Sequence, residues 1–267
     1  MIIDFHTHAF PDALAARAIG GLVASMVNPI SPFAPATDGT HAGLIASMDR
    51  CGIDKSVLLP VITKQSQTTT LNEWAAERAG DRIVSFGGVF AHTDDYKRDI
   101  DFVVSLGLRG LKFHCEYQKF TVDEPKMLKI YDYALSRGLI LVFHAGYDPG
   151  FPPPYRSSAK QFRNIVDAMR GGVIVAAHLG GHEEWDATEQ YLVGTDIYLD
   201  TSTGFEYYPH DQFVRIVRNH GADKILFATD SPWSSAEYEL RALNALPLSD
   251  EEKALILGGN AVRLLGL

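Results

Sequence analysis

Along the chain, short apolar or β-branched runs alternate eight times with longer segments whose apolar positions recur at helical spacing. Strands are expected over 1–5, 55–62, 82–90, 107–113, 139–144, 172–178, 196–200 and 224–229. Helices are expected over 39–50, 69–79, 94–106, 123–137, 158–170, 183–193, 209–220 and 234–246. Asp94, Ser158 and Ser234 are placed to cap helix starts, and Gly107, Gly138, Gly171 and Gly221 to end helices. A last amphipathic helix over 249–265 opens on Ser249-Asp250-Glu251-Glu252, an N-cap followed by acidic first-turn residues. Strands apolar on both faces that alternate with helices imply a parallel sheet covered by helices. Eight such units in about 250 residues have the size of a (β/α)8 TIM barrel, of α/β class and here closed by a C-terminal helix. A doubly wound open sheet would place a glycine-rich phosphate loop after the first strand. That position reads Phe5-His6-Thr7-His8-Ala9, so the barrel is preferred.

Two stretches exceed ordinary connections: 9–38, with its Asn28–Pro35 proline-rich run, and 146–156, with Phe151-Pro152-Pro153-Pro154-Tyr155. Both follow strands, on the face where barrel active sites lie, and long loops there are usually lids or binding loops. Substrate choice is therefore expected to reside in them.

Composition narrows the function. With 46% hydrophobic and 10% aromatic residues in 267, the chain is neither disordered nor low in complexity, and one barrel domain uses residues 1–267. A net charge of −9 argues against nucleic acid as a partner and against anionic membrane surfaces. No apolar run approaches the roughly 20 residues needed to span a bilayer. The start, Met1-Ile2-Ile3-Asp4-Phe5-His6, lacks the features of a signal peptide. Cys51 and Cys115 form no disulfide framework, which suits a reducing, cytoplasmic setting.

The ten histidines carry the chemistry. His6 and His8 stand two apart at the end of the first strand, about 6.6 Å apart at Cα and on one face. His144 ends the fifth strand, His178 the sixth and Asp230 the eighth. A barrel collects all five at one mouth. Strand eight closes on strand one, so Asp230 falls beside the His6/His8 pair while His144 reaches in from across. Three imidazoles and a carboxylate suit Zn²⁺ or another borderline divalent ion with a position left open. Each residue alone has a plainer explanation, but packing disfavours so many unpartnered titratable groups at strand ends.

Asp4-x-His6-x-His8, His144, His178-Leu179-Gly180-Gly181, Thr229-Asp230-Ser231-Pro232-Trp233 and the closing Asn260-Ala261 segment resemble the amidohydrolase superfamily. More narrowly, they resemble its branch containing aminocarboxymuconate semialdehyde decarboxylase. The resemblance implies a distorted (β/α)8 barrel in which His6, His8, His144 and Asp230 bind one metal ion and His178 acts as acid or base. In two-metal members the fifth- and sixth-strand histidines hold a second ion, bridged by a fourth-strand Lys or Glu. Here the fourth strand offers Lys112, His114 and Glu116 on one face. Lys112 is thus a carbamylated bridge, a pocket cation or half of an internal ion pair; one metal is favoured and two remain open.

The first functional expectation is a hydrolase in which metal-activated water attacks an amide, lactone or ester of a small carboxylated molecule, with Asp230 accepting the water's proton. The second is a decarboxylase of an unsaturated or aromatic acid. It needs a carboxylate clamp, for which Lys112 and Arg156 are candidates. A catalytically silent metal-binding barrel is a third reading. His114 and Trp233 are further candidates for the pocket wall. A homodimer is what the resemblance suggests.

Overall fold

The computed structural model describes residues 1–26 and 34–267. Eight parallel strands follow one another in chain order. β1 (Ile3–Thr7), β2 (Lys55–Leu58) and β3 (Ile83–Ser85) form one sheet. β4 (Gly110–Phe113), β5 (Ile140–Phe143), β6 (Ile174–Ala176), β7 (Tyr198–Asp200) and β8 (Ile225–Leu226) form the other. A bridge between Gly87 and Leu111 joins β3 to β4, and one between Thr7 and Ser231 joins the end of β1 to the segment after β8. On that second seam Phe5 N donates to Phe227 O (2.9 Å) and Asp230 N donates to His6 O (2.8 Å). The strands therefore complete the circuit of a (β/α)8 barrel.

Alternation along the strands divides the apolar side chains. Leu141 and Phe143 of β5 face outward, where Phe143 meets Phe162 of the helix Ala159–Ala168 edge-on at 5.8 Å. Ile140 and Val142 turn the other way and join Ile3, Phe5, Val57, Phe86, Val175 and Leu226 in a smaller interior cluster. His144 continues that inward series by period two. The register of β1 against β2 shifts between Asp4 and Thr7. Such an irregularity re-aims side chains, and here adjacent residues both reach interior partners: Phe5 meets Phe86, and His6 meets Lys112 of β4.

The strands are shorter than the apolar runs that announced them. The run 82–90 yields only β3 and the run 224–229 only β8, because the chain leaves the ladder early to build loops at the mouth. The 9–38 stretch, expected to be a lid or binding loop, contains a helix, Asp12–Ser25. Most of its Asn28–Pro35 run lies outside the described residues. The 146–156 stretch carries no helix or strand. Two caps fall one residue later than expected. Asp95 accepts from Arg98 N and Ser235 from Tyr238 N, while Ser158 and Ser249 stand at the N-caps expected of them. The expected final helix is interrupted by a π-turn over Leu255–Gly259. Gly258 there lies so close to the N-terminal strand that a Cβ would sit 2.3 Å from Met1 O. No helix among the described residues is long and apolar enough to cross a membrane.

Candidate metal centre

His6, at the irregular end of β1, is fixed from both sides. Its Nδ1 faces Asp200 Oδ2 at 2.9 Å and its Nε2 accepts from Lys112 Nζ at 2.8 Å. His8, just beyond the strand, donates from Nδ1 to the Leu59 carbonyl at 2.7 Å. A carbonyl can only accept, so neutral His8 carries its proton on Nδ1 and points a lone pair from Nε2. The same holds for His6 beside the Asp200 carboxylate. The two Nε2 atoms approach to 3.2 Å, and Asp230 Oδ1 lies 3.4 Å from the first and 3.1 Å from the second. Three acceptors thus converge, and among the described residues the Lys112 ammonium is the donor hydrogen-bonded into that group. Converging Nε2 lone pairs, with Nδ1 held by carboxylate and carbonyl, are the donor chemistry of a divalent cation site. The residues present fit such an ion.

Burial sets the charges. Burial and the Lys112 ammonium lower the His6 pKa to about 4. Burial lowers that of Lys112 to about 8. Asp230 is driven up by burial, but His6 and His8 outweigh this and hold it well below the usual carboxylate range. Its second oxygen accepts from Thr203 Oγ1 at 2.9 Å.

His178 and His144 form the adjoining pair, with Nε2 and Nδ1 3.0 Å apart. Their other nitrogens face carbonyls: His178 Nδ1 faces Ser202 O (3.0 Å), and His144 Nε2 faces Tyr147 O (3.2 Å). The expected four-residue ion site is therefore gathered in part. His6, His8 and Asp230 converge, whereas His144 groups with His114 and Asp148. That second group is a poor ion cage. The rings of His114 and His144 stack at 4.2 Å and 13°, so a point in the plane of one ring lies well out of the plane of the other. His114 Nε2 instead meets Asp148 Oδ2 at 3.2 Å.

Both groups line one cavity of about 630 Å³ with Lys112, His178 and Trp233. Its mouth is walled by the helix Asp12–Ser25, through Leu14, Arg17 and Leu22, and by Tyr147 to Gly150. Arg156 is elsewhere: it pairs with Glu116, Nε to Oε2 at 3.3 Å, and is not among the cavity-lining residues. This pairing also occupies Glu116, leaving Lys112 to His6. Six non-glycine residues among those described hold positive φ, and His178, Glu183, Thr203 and Asp230 of these line the cavity. Each such residue costs about 1–3 kcal/mol, and strain of this kind collects at functional sites.

Sequence reasoning missed three participants. Asp200 and Ser202 lie on or just after β7, a strand with no histidine to draw attention, and Thr203 follows them. The run Asp200-Thr201-Ser202-Thr203, small and polar at a strand end, was the available signal.

A ring of eight parallel strands with histidines and an aspartate at its mouth makes a barrel with a candidate metal site. The family model for amidohydrolases matches residues 3–267, so the chain belongs to the amidohydrolase family. Comparison with curated protein sequences gives no match. Among solved structures, the chain is similar to 5-carboxyvanillate decarboxylase from Sphingomonas paucimobilis, at 17% identity and TM-score 0.73, covering 100% of this chain and 99% of that one. It is similar to an uncharacterised TIM-barrel protein from Bordetella bronchiseptica at 19% and 0.78, covering 99% and 98%. It also resembles a probable 2-pyrone-4,6-dicarboxylic acid hydrolase from Acinetobacter baumannii at 18% and 0.69, covering 100% and 99%.

Proposed function

We propose that this enzyme is a metal-dependent decarboxylase of a small aromatic or unsaturated carboxylic acid. The observation that carries the reading is Lys112. Its ammonium is 1% exposed, lines the cavity beside the ion donors, and among the described residues has no carboxylate within ion-pairing distance. Asp230 and Asp200 favour its charged form without pairing to it directly, and a buried cation that makes no direct ion pair suits an anionic substrate group. Trp74, Tyr117, Tyr207 and Trp233 line the same cavity and suit a flat, unsaturated acid. The likeness to 5-carboxyvanillate decarboxylase supports the same reading.

An ion held by His6, His8 and Asp230, with His144 alongside, would supply Lewis-acid polarisation of a substrate oxygen. We take it to be one Zn²⁺; a similar structure, from Novosphingobium aromaticivorans, holds manganese. Lys112 binds the departing carboxylate. His178, its Nδ1 held by Ser202, takes up a proton at Nε2 and passes it to the substrate carbon in place of carbon dioxide. One carbon–carbon bond breaks and one carbon–hydrogen bond forms, with one proton consumed.

Hydrolysis of a lactone, ester or amide is the second reading, favoured by the place of Asp230. Its Oδ1 lies beside the Nε2 atoms of His6 and His8, where a carboxylate accepts a proton from attacking water. The likeness to the 2-pyrone-4,6-dicarboxylic acid hydrolase points the same way. Zinc- or manganese-loaded protein incubated with aromatic and dienoic acids and their lactones distinguishes the two by product mass. Loss of carbon dioxide is expected; gain of water with no carbon dioxide released would replace the first reading with the second.

A further inference from the structure

We propose that Asp200 and Ser202 act as one positioning unit that fixes the tautomers of His6 and His178 together, so that the ion site and the acid–base histidine are set by a single carboxylate. Asp200 is fully buried, and each of its oxygens has a separate task. Oδ2 takes the Nδ1 proton of His6 at 2.9 Å. Oδ1 accepts from the backbone N–H groups of His178 and Ser202, both at 3.0 Å, and from the Ser202 hydroxyl.

The hydroxyl decides the rest. Ser202 has one proton and gives it to Asp200, so toward His178 Nδ1, 2.9 Å away, it can only accept. The Ser202 carbonyl, at 3.0 Å from the same nitrogen, is likewise only an acceptor. The His178 proton must therefore reside on Nδ1, which leaves Nε2 for proton transfer at the cavity. His6 is held in the matching form, Nδ1–H, with its Nε2 lone pair facing Lys112 and the other donors. One histidine on strand one and another just beyond strand six thus take their chemical orientation from two residues, one ending strand seven and one at its exit. Supporting carboxylates of this kind are worth about 10–100-fold in metal affinity.

The inference does not depend on the identity of the substrate, and its test needs none. Long-range ¹H–¹⁵N NMR of the histidine rings in zinc-loaded wild-type protein should show Nδ1–H, with unprotonated Nε2, for both His6 and His178. Either ring in the Nε2–H form would overturn the proposal. Asp200→Asn should weaken zinc binding by about 10–100-fold in competition with a chelator, in protein shown to be folded by circular dichroism. Ser202→Ala should keep zinc affinity within a few-fold and alter the His178 ring signals more than those of His6, which Asp200 still holds. Wild-type zinc affinity in Asp200→Asn, or loss of zinc in Ser202→Ala with unchanged His178 signals, would overturn it. Should Asp200→Asn fail to fold, the wild-type ring spectra decide alone.

Discussion

At the scale of single residues, the proposed chemistry divides between groups that hold an ion and groups that move a proton. His178 belongs to the second set, since its Nε2 faces His144 rather than the three converging donors. His178→Ala should lower turnover by about 10²–10⁴-fold while metal analysis still finds the ion; loss of the ion would make His178 a ligand. Glu239, which is not among the cavity-lining residues, is completely buried, accepts from Ser234 Oγ at 2.6 Å and leaves Oε2 without a hydrogen-bond partner among the described residues. Burial pushes its pKa from 4.5 up to about 8. The folded chain then keeps a proton that the unfolded chain releases, so this group favours folding at low pH and the contribution is lost as pH rises from about 4.5 to about 8. Urea titrations of Glu239→Gln should show a flatter stability profile across that window than wild type; parallel profiles would refute the assignment. The five mouth residues were legible in sequence because a histidine or aspartate at a strand end is conspicuous. Asp200 and Ser202 were not, because their role depends on which atom of a neighbour they face. Arg156 was attractive by position alone, and its pairing with Glu116 is a matter of folding that spacing cannot reveal.

At the scale of elements, the cavity wall depends on one close contact between loops. Gly146 bridges His182, with Gly146 N donating to Ser157 O and His182 N to Ala145 O, both at 2.9 Å. Its φ is +79°, and a Cβ there would lie 2.3 Å from His182 N. Gly146→Ala combines left-handed strain with a backbone collision, and should cost about 2 kcal/mol or more. A denaturation midpoint equal to wild type would mean that the loop accommodates the methyl group. The elements themselves were read well where a capping residue or glycine punctuated a periodic segment. The helix Asp12–Ser25 escaped because Asp12-Ala13-Leu14-Ala15-Ala16 and Gly20-Gly21 give a weak apolar stripe with a non-helical signal in its middle. Its one fully buried side chain is Ala15, so little in the sequence marks which face it presents.

At the scale of the whole molecule, the barrel was legible from eightfold alternation, while the closing contacts were not, since they lie between residues at opposite ends of the chain. The ion site straddles that closure, with His6 and His8 on one side and Asp230 on the other. Binding to the folded state alone stabilises by about 2.7 kcal/mol at one hundred times the dissociation constant. Chelation should therefore lower the melting temperature by about 5 °C or more. An unchanged melting temperature, in protein shown by metal analysis to have been loaded and then stripped, would remove the ion from the stability of the barrel. The same placement orders events during synthesis. Residues 6 and 8 leave the ribosome long before residue 230, so no nascent fragment ending before the eighth strand can assemble the donor set. On the proposed reading, metal loading therefore waits for the eighth strand, and chains stopped short of it lack a donor.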